Sequence, residues 1–162
     1  MIDIRGLSYF VAESTDPVQW QRYAQDVLGM MVSEAPTGGV YVKMDERPFR
    51  MLVVPGGESR YLASGWELAS ERAFNAAIET LDQADVSWRL GTAEQCDQRG
   101  VQALLHVTDP SGNHHELSWG HRSDCQPFIS PQGVPGFITG DMGLGHIVLP
   151  APNFDATLAF AK

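Results

Sequence analysis

Positive charge is scarce in this sequence: 11 Lys and Arg stand against 20 Asp and Glu, a formal net charge of −9. Nucleic acid and anionic membranes both need clustered Lys and Arg, so neither is expected as a partner. The acidic residues are scattered, which excludes an acidic tail. No apolar run approaches the ~20 residues of a spanning helix. The opening "MIDIRGLSYF" lacks a basic segment followed by an apolar one, so no export signal is visible and the expected location is cytoplasmic. Cysteine is limited to Cys96 and Cys125, without metal-type spacing, and reduced, partly buried thiols are the expectation. Histidine is absent before His106. "PGGES" is followed by no Gly-Lys-Ser/Thr, and no Gly-x-Ser-x-Gly occurs, which removes a phosphate loop and a nucleophile elbow.

What is present is ordinary globular material, 43% hydrophobic and 19% charged. A chain of 162 residues can make one well-buried domain or two small modules sharing a core. Ile4–Ala12 is apolar and β-prone. A helix follows, with Asp16 as N-cap, Pro17 at its first position and Gly29 as its stop. Trp20, Tyr23, Ala24 and Val27 lie on one face of it. Strands fit "GVYVKMD" and "FRMLVVP", with room for a short one near Met30–Glu34.

That order then repeats. "YLASGWELA" reads as a strand, and Ser70 caps a helix with a stripe of Phe74, Ala77, Ile78 and Leu81. Strands follow at Val86–Leu90, Val101–Thr108 and His114–Trp119, the last two joined by "DPSGN". The fold class is therefore α+β, two paired βαβββ modules at about 1–60 and 61–120. Residues 121–142, rich in Pro, Gly and Ser, read as a linker or wrapping segment. Residues 143–162 repeat the first pattern. Laying Gly6 on Gly143 aligns Leu7 with Leu144, Val11 with Val148 and Ala24 with Ala161. A third module thus opens, with a strand through His146, Ile147 and Val148 and a helix behind it.

His146 is the first candidate for chemistry. An imidazole on such a strand is either a hydrogen-bonded structural group or a metal ligand that needs a second His and a carboxylate. "HHE" at His114–Glu116 is not a cluster, because His114 and Glu116 share one strand face and His115 takes the other.

"GFITGDMGLGHIVLPAPN", with "DPSGNHHELSWG", "RGVQALLHVTDP" and "GLSYFVAESTDPVQWQRYAQDVLGM", resembles the two-domain, type I extradiol ring-cleavage dioxygenases. The likeness is to the 2,3-dihydroxybiphenyl 1,2-dioxygenase group of the vicinal oxygen chelate superfamily. It covers the N-terminal domain and the start of the catalytic one. The resemblance implies cleavage of a catechol ring beside its hydroxyls by O2, with Fe(II) held by two His and one Glu. Such a facial set of ligands leaves positions open for catecholate and O2. His146 matches the first ligand and Val148 a wall of the substrate pocket, with packing an equal reading for Val148. The remaining ligands and acid/base residues would lie beyond Lys162, so the stretch alone is expected to be inactive, and the parent a homo-oligomer. In the N-terminal modules Tyr9 stands where His146 would, Leu62–Gly65 offers no ligand, and only Glu116 matches a ligand carboxylate. A degenerate copy kept for packing is expected there, with Glu116→Gln costing within about 1 kcal/mol unless Glu116 is paired in the core. The rival reading is a non-enzymatic small-ligand-binding module of the same superfamily.

Overall fold

The structure is a computed structural model that describes residues 1–162, except the side chains of Thr37 and Asp141. Its first βαβββ module consists of β1 (Ile4–Ser14), α1 (Pro17–Arg22), β2 (Met31–Ala35), β3 (Gly39–Lys43) and β4 (Met51–Pro55). The second has β5 (Arg60–Leu68), α2 (Glu71–Gln83), β6 (Trp88–Leu90), α3 (Ala93–Arg99), β7 (Ala103–Thr108) and β8 (His114–Trp119). All eight strands form one sheet in the order β2-β3-β4-β1-β5-β8-β7-β6. Each module closes on a parallel pair of its first and last strands, β1 with β4 and β5 with β8. The modules join through the antiparallel pair β1–β5 at the centre. That symmetry is the spatial form of the sequence repeat.

The helices α1 and α2 each cover one module's outer face. Phe74, Ala77 and Leu81 of α2 are buried with Leu68, Leu105 and Leu117, as the 3.6-residue stripe requires. Ser70 caps α2 by accepting from the Ala73 N–H at 3.2 Å. The first helix departs from expectation. Asp16 caps it, accepting from the Gln19 N–H at 3.0 Å, but after Arg22 the backbone widens into a π turn over Tyr23–Val27. The wider turn breaks the 3.6-residue register, so Tyr23 and Val27 end 47% and 67% exposed. Ala24, Trp20, Leu28 and Met30 pack on Val40, Val42 and Val53 instead. Three strands are shorter than expected at their starts, β4 by Phe49 and Arg50, β6 by Val86 and Ser87, and β7 by Val101 and Gln102. Cys96 is partly buried and Cys125 exposed, and both are free; partial burial therefore holds only for Cys96.

Residues 121–142 lie along the first module. Lys43 pairs with Asp124 at 2.6 Å, Ser130 Oγ donates to the Gly29 carbonyl at 2.6 Å, and Phe137 packs near Met30. Beyond them the expected strand through His146 does not form. Its one ladder contact is a parallel bridge of Gly143 with Leu7, beside a Leu144 N–H to Leu7 carbonyl bond of 2.8 Å. The glycine is required there. Its φ is +60°, and a Cβ would sit 2.1 Å from the Leu7 oxygen. The helix does form, as α4 (Phe154–Phe160). It docks on the second module: Ser111 Oγ and Thr157 Oγ1 are 2.7 Å apart, and Phe160 stacks on His115 with ring centres 6.4 Å apart.

Candidate functional site

Two places gather the residues singled out by the sequence. The first is an apolar cleft of about 780 Å³ between β1 and the segment after Gly143, walled by Phe10, Trp20, Tyr61, Ile147 and Val148, with His146 at its edge. The pinning of Gly143 and Leu144 on β1 brings His146 and Val148 into this one cleft. Val148 is 85% exposed and His146 is exposed. The His146 imidazole makes no hydrogen bond among the described residues, and no described group of three His, Cys, Asp or Glu could hold a metal. The described residues of this chain therefore do not by themselves fit an Fe(II) site.

The second place is the inner face of the second module, a cavity of about 480 Å³ reached by Leu62, Arg99, His106, His114 and Glu116. Strand alternation puts His114, Glu116 and the facing His106 on this side and sends His115 to the other, against Phe160 and Trp66. At its floor lies Glu116, 2% exposed. Its Oε2 accepts from the Tyr9 hydroxyl at 2.6 Å and from Arg99 Nε at 3.0 Å, while Oε1 accepts from Arg99 Nη2 at 2.8 Å. The guanidinium thus makes a fork onto the carboxylate, the arrangement that best offsets the cost of burying both charges. Gly65 makes room for this: a Cβ there would lie 2.3 Å from the Tyr9 ring.

Charge at the floor follows from burial and neighbours. Burial, then the charge of Glu116, hold the Tyr9 phenol well above its ordinary value, so it remains a donor. Burial opposes the charge of Arg99, but Glu116 and Tyr9 outweigh it and raise its pKa. His106, 3.7 Å from Glu116 and bonded to Gln95 at 3.2 Å, is pushed down by burial despite the carboxylate. The Arg99 guanidinium therefore lies against the buried Glu116 carboxylate, with the Tyr9 hydroxyl on the same oxygen as Arg99 Nε. Because Glu116 is paired in the core, the expectation of a nearly cost-free Glu116→Gln does not apply.

Sequence reasoning missed Arg99 because it missed α3. The signal was present: Thr92-x-x-Gln95 is a capping box, with both reciprocal bonds made (2.9 and 3.2 Å), and Gly100 ends the helix at φ +63°.

Comparison with known proteins places this geometry. The family model described as "Dihydroxybiphenyl dioxygenase BphC D1" matches residues 7–56. An "Iron-dependent extradiol dioxygenase" of Rhodococcus jostii (strain RHA1) is 37% identical over 162 residues, covering 99% of this chain and 54% of that protein. A "3-methylcatechol 2,3-dioxygenase" of Pseudomonas putida F1 is 38% identical over 160 residues, covering 98% of this chain and 55% of that protein. A solved structure of BphC, a halotolerant catechol dioxygenase, superposes with a TM-score of 0.91 at 28% identity, over 99% of this chain and 54% of that one. The chain spans about half the length of the curated relatives it matches.

Proposed function

From a chain whose sequence and fold are those of the extradiol ring-cleavage dioxygenases, we propose that it is the N-terminal part of an Fe(II)-dependent enzyme of that kind. Its domains are the paired modules of residues 1–120, a linker at 121–142, and the opening of the catalytic domain at 143–162. The parent enzyme, a cytoplasmic homo-oligomer, cleaves a bicyclic or substituted catechol such as 2,3-dihydroxybiphenyl with O2 during the degradation of aromatic compounds. The observation that carries this reading is the 37% identity to an iron-dependent extradiol dioxygenase across the whole chain.

Within that reading His146 contributes one iron ligand and Val148 one wall of the substrate pocket. Their shared apolar cleft supports the pairing, since a catechol ring needs an apolar wall near the metal that receives its hydroxyls. The other two ligands belong to the part of the relatives that this chain does not include. The paired modules carry no chemistry in this account; they hold Gly143 and Leu144 against β1 and so fix where His146 enters the site.

A chain extended to the length of its relatives should form the yellow ring-fission product from 2,3-dihydroxybiphenyl, O2 and Fe(II). In it, His146→Ala should lose both bound iron and turnover, because two ligands hold a divalent ion far less well than three. The 162-residue chain alone should show no turnover. Retention of iron and activity by the extended His146→Ala protein would overturn the assignment.

A further inference from the structure

The cavity of the second module has no part in that reading, yet it has the dimensions and the lining of a ligand site. Its volume of about 480 Å³ falls within the common range for small-molecule pockets, roughly 300–1,000 Å³. Apolar surface comes from Leu62 and Ala63; Val107 and Trp88 border the cavity, but their side chains pack on the opposite sheet face with Phe74 and Leu105, where Trp88 Nε1 donates to Asp82 at 2.8 Å. The polar groups at the floor are already occupied: Arg99 by Glu116 and Gln98, and His106 by Gln95.

Arg89 is different. It sits opposite His106 in the β6–β7 pair, lines the cavity, and makes no hydrogen bond or ion pair among the described residues. The lining therefore holds two guanidinium groups against one carboxylate, an excess of one positive charge on a chain of net charge −9. A free guanidinium presents a planar fork of donors that matches a carboxylate, while Leu62 and Ala63 offer an apolar wall to a ring.

We propose that this cavity binds a small aromatic carboxylate, its ring against Leu62 and Ala63 and its carboxylate on Arg89. The site is separate from the cleft of His146 and requires no metal. It stands whether or not the parent enzyme cleaves catechols.

Calorimetric titration of the purified chain tests it, with benzoate as the probe and benzamide as its uncharged isostere. Benzoate should bind saturably, and benzamide about tenfold more weakly or worse, since one charge-assisted contact is lost. Arg89→Gln should weaken benzoate by about the same factor, because that exposed edge residue supports nothing else in the fold. Ser87→Trp, which adds bulk at an exposed lining position, should remove binding while the circular dichroism and unfolding midpoint stay those of the parent chain. Absence of saturable benzoate binding, equal binding of benzamide, or unchanged affinity in Arg89→Gln would each overturn the proposal.

Discussion

Replacing Glu116 by Gln changes one atom and one charge, and the structure gives the consequence. If the new amide nitrogen takes the Oε2 position, it meets the Arg99 Nε donor at 3.0 Å; at the Oε1 position it meets Nη2 at 2.8 Å. Either orientation sets donor against donor. The Tyr9 hydroxyl can turn to accept, but a guanidinium has no acceptor to offer. Arg99, with a side chain only 10% exposed, also loses its counter-charge. Breaking a buried pair from one side typically costs 3–5 kcal/mol. The amide oxygen still accepts from one side of the fork, so about 3 kcal/mol is expected.

Urea unfolding followed by tryptophan fluorescence reads this directly. With an m-value of about 2 kcal/mol/M, the midpoint should fall by roughly 1.5 M. The double variant Arg99→Met, Glu116→Leu removes both charges and should recover much of the loss, because the penalty lies in the stranded guanidinium rather than in an absent attraction. A Glu116→Gln midpoint within about 0.5 M of the parent would refute the view of Arg99 as a buried cation dependent on that carboxylate.

Gly65→Ala should destabilise by about 1–3 kcal/mol through overlap with the Tyr9 ring. In a chain that already carries Tyr9→Leu the cost should be smaller, and equal costs in thermal unfolding of the two backgrounds would contradict the contact. His121 is held at a pKa of about 3, first by burial and then by Arg47 and Arg50. The unfolded imidazole protonates near 6.5 and the folded one near 3, so stability should fall as pH drops between those values. His106 and His115 are also lowered and act in the same direction. His121→Asn should flatten the fall, and an unchanged slope in unfolding measured from pH 6.5 to 4.5 would count against it. Phe160→Ala should cost about 1 kcal/mol and accelerate amide exchange in α4, a helix of seven residues too short to persist undocked. Unprotected α4 amides in the parent chain would mean that it is not docked at all.

The sequence showed the modules plainly because each repeats a local grammar. Asp16 with Pro17, Ser70 with the Phe74–Leu81 stripe, and alternation through His114–Trp119 are all decided within a few residues. Two features required knowledge from a distance. The π turn after Arg22 lets Leu28 and Met30 pack on β3 and β4, a tertiary demand that overrides the 3.6-residue stripe. The segment through His146 has strand composition, yet composition supplies no neighbouring strand, and among the described residues it meets the β1 backbone at Gly143 and Leu144 alone.

The site was legible in part for a similar reason. Aligning the modules puts Tyr9 and Glu116 at ligand-like positions, and from that a degenerate copy kept for packing is expected. Alignment says nothing of what fills the space between two such residues. An isolated buried carboxylate is costly, so a fold that keeps one must neutralise it. Here it is neutralised: α3 carries Arg99 onto Glu116 in a two-pronged bond, and Gly65 lets the Tyr9 hydroxyl reach the same oxygen. The capping box at Thr92 and the glycine stop at Gly100 fix where that arginine emerges. The packing role expected of this half is thus an electrostatic role as well, since the cation that stabilises its carboxylate is built into the chain.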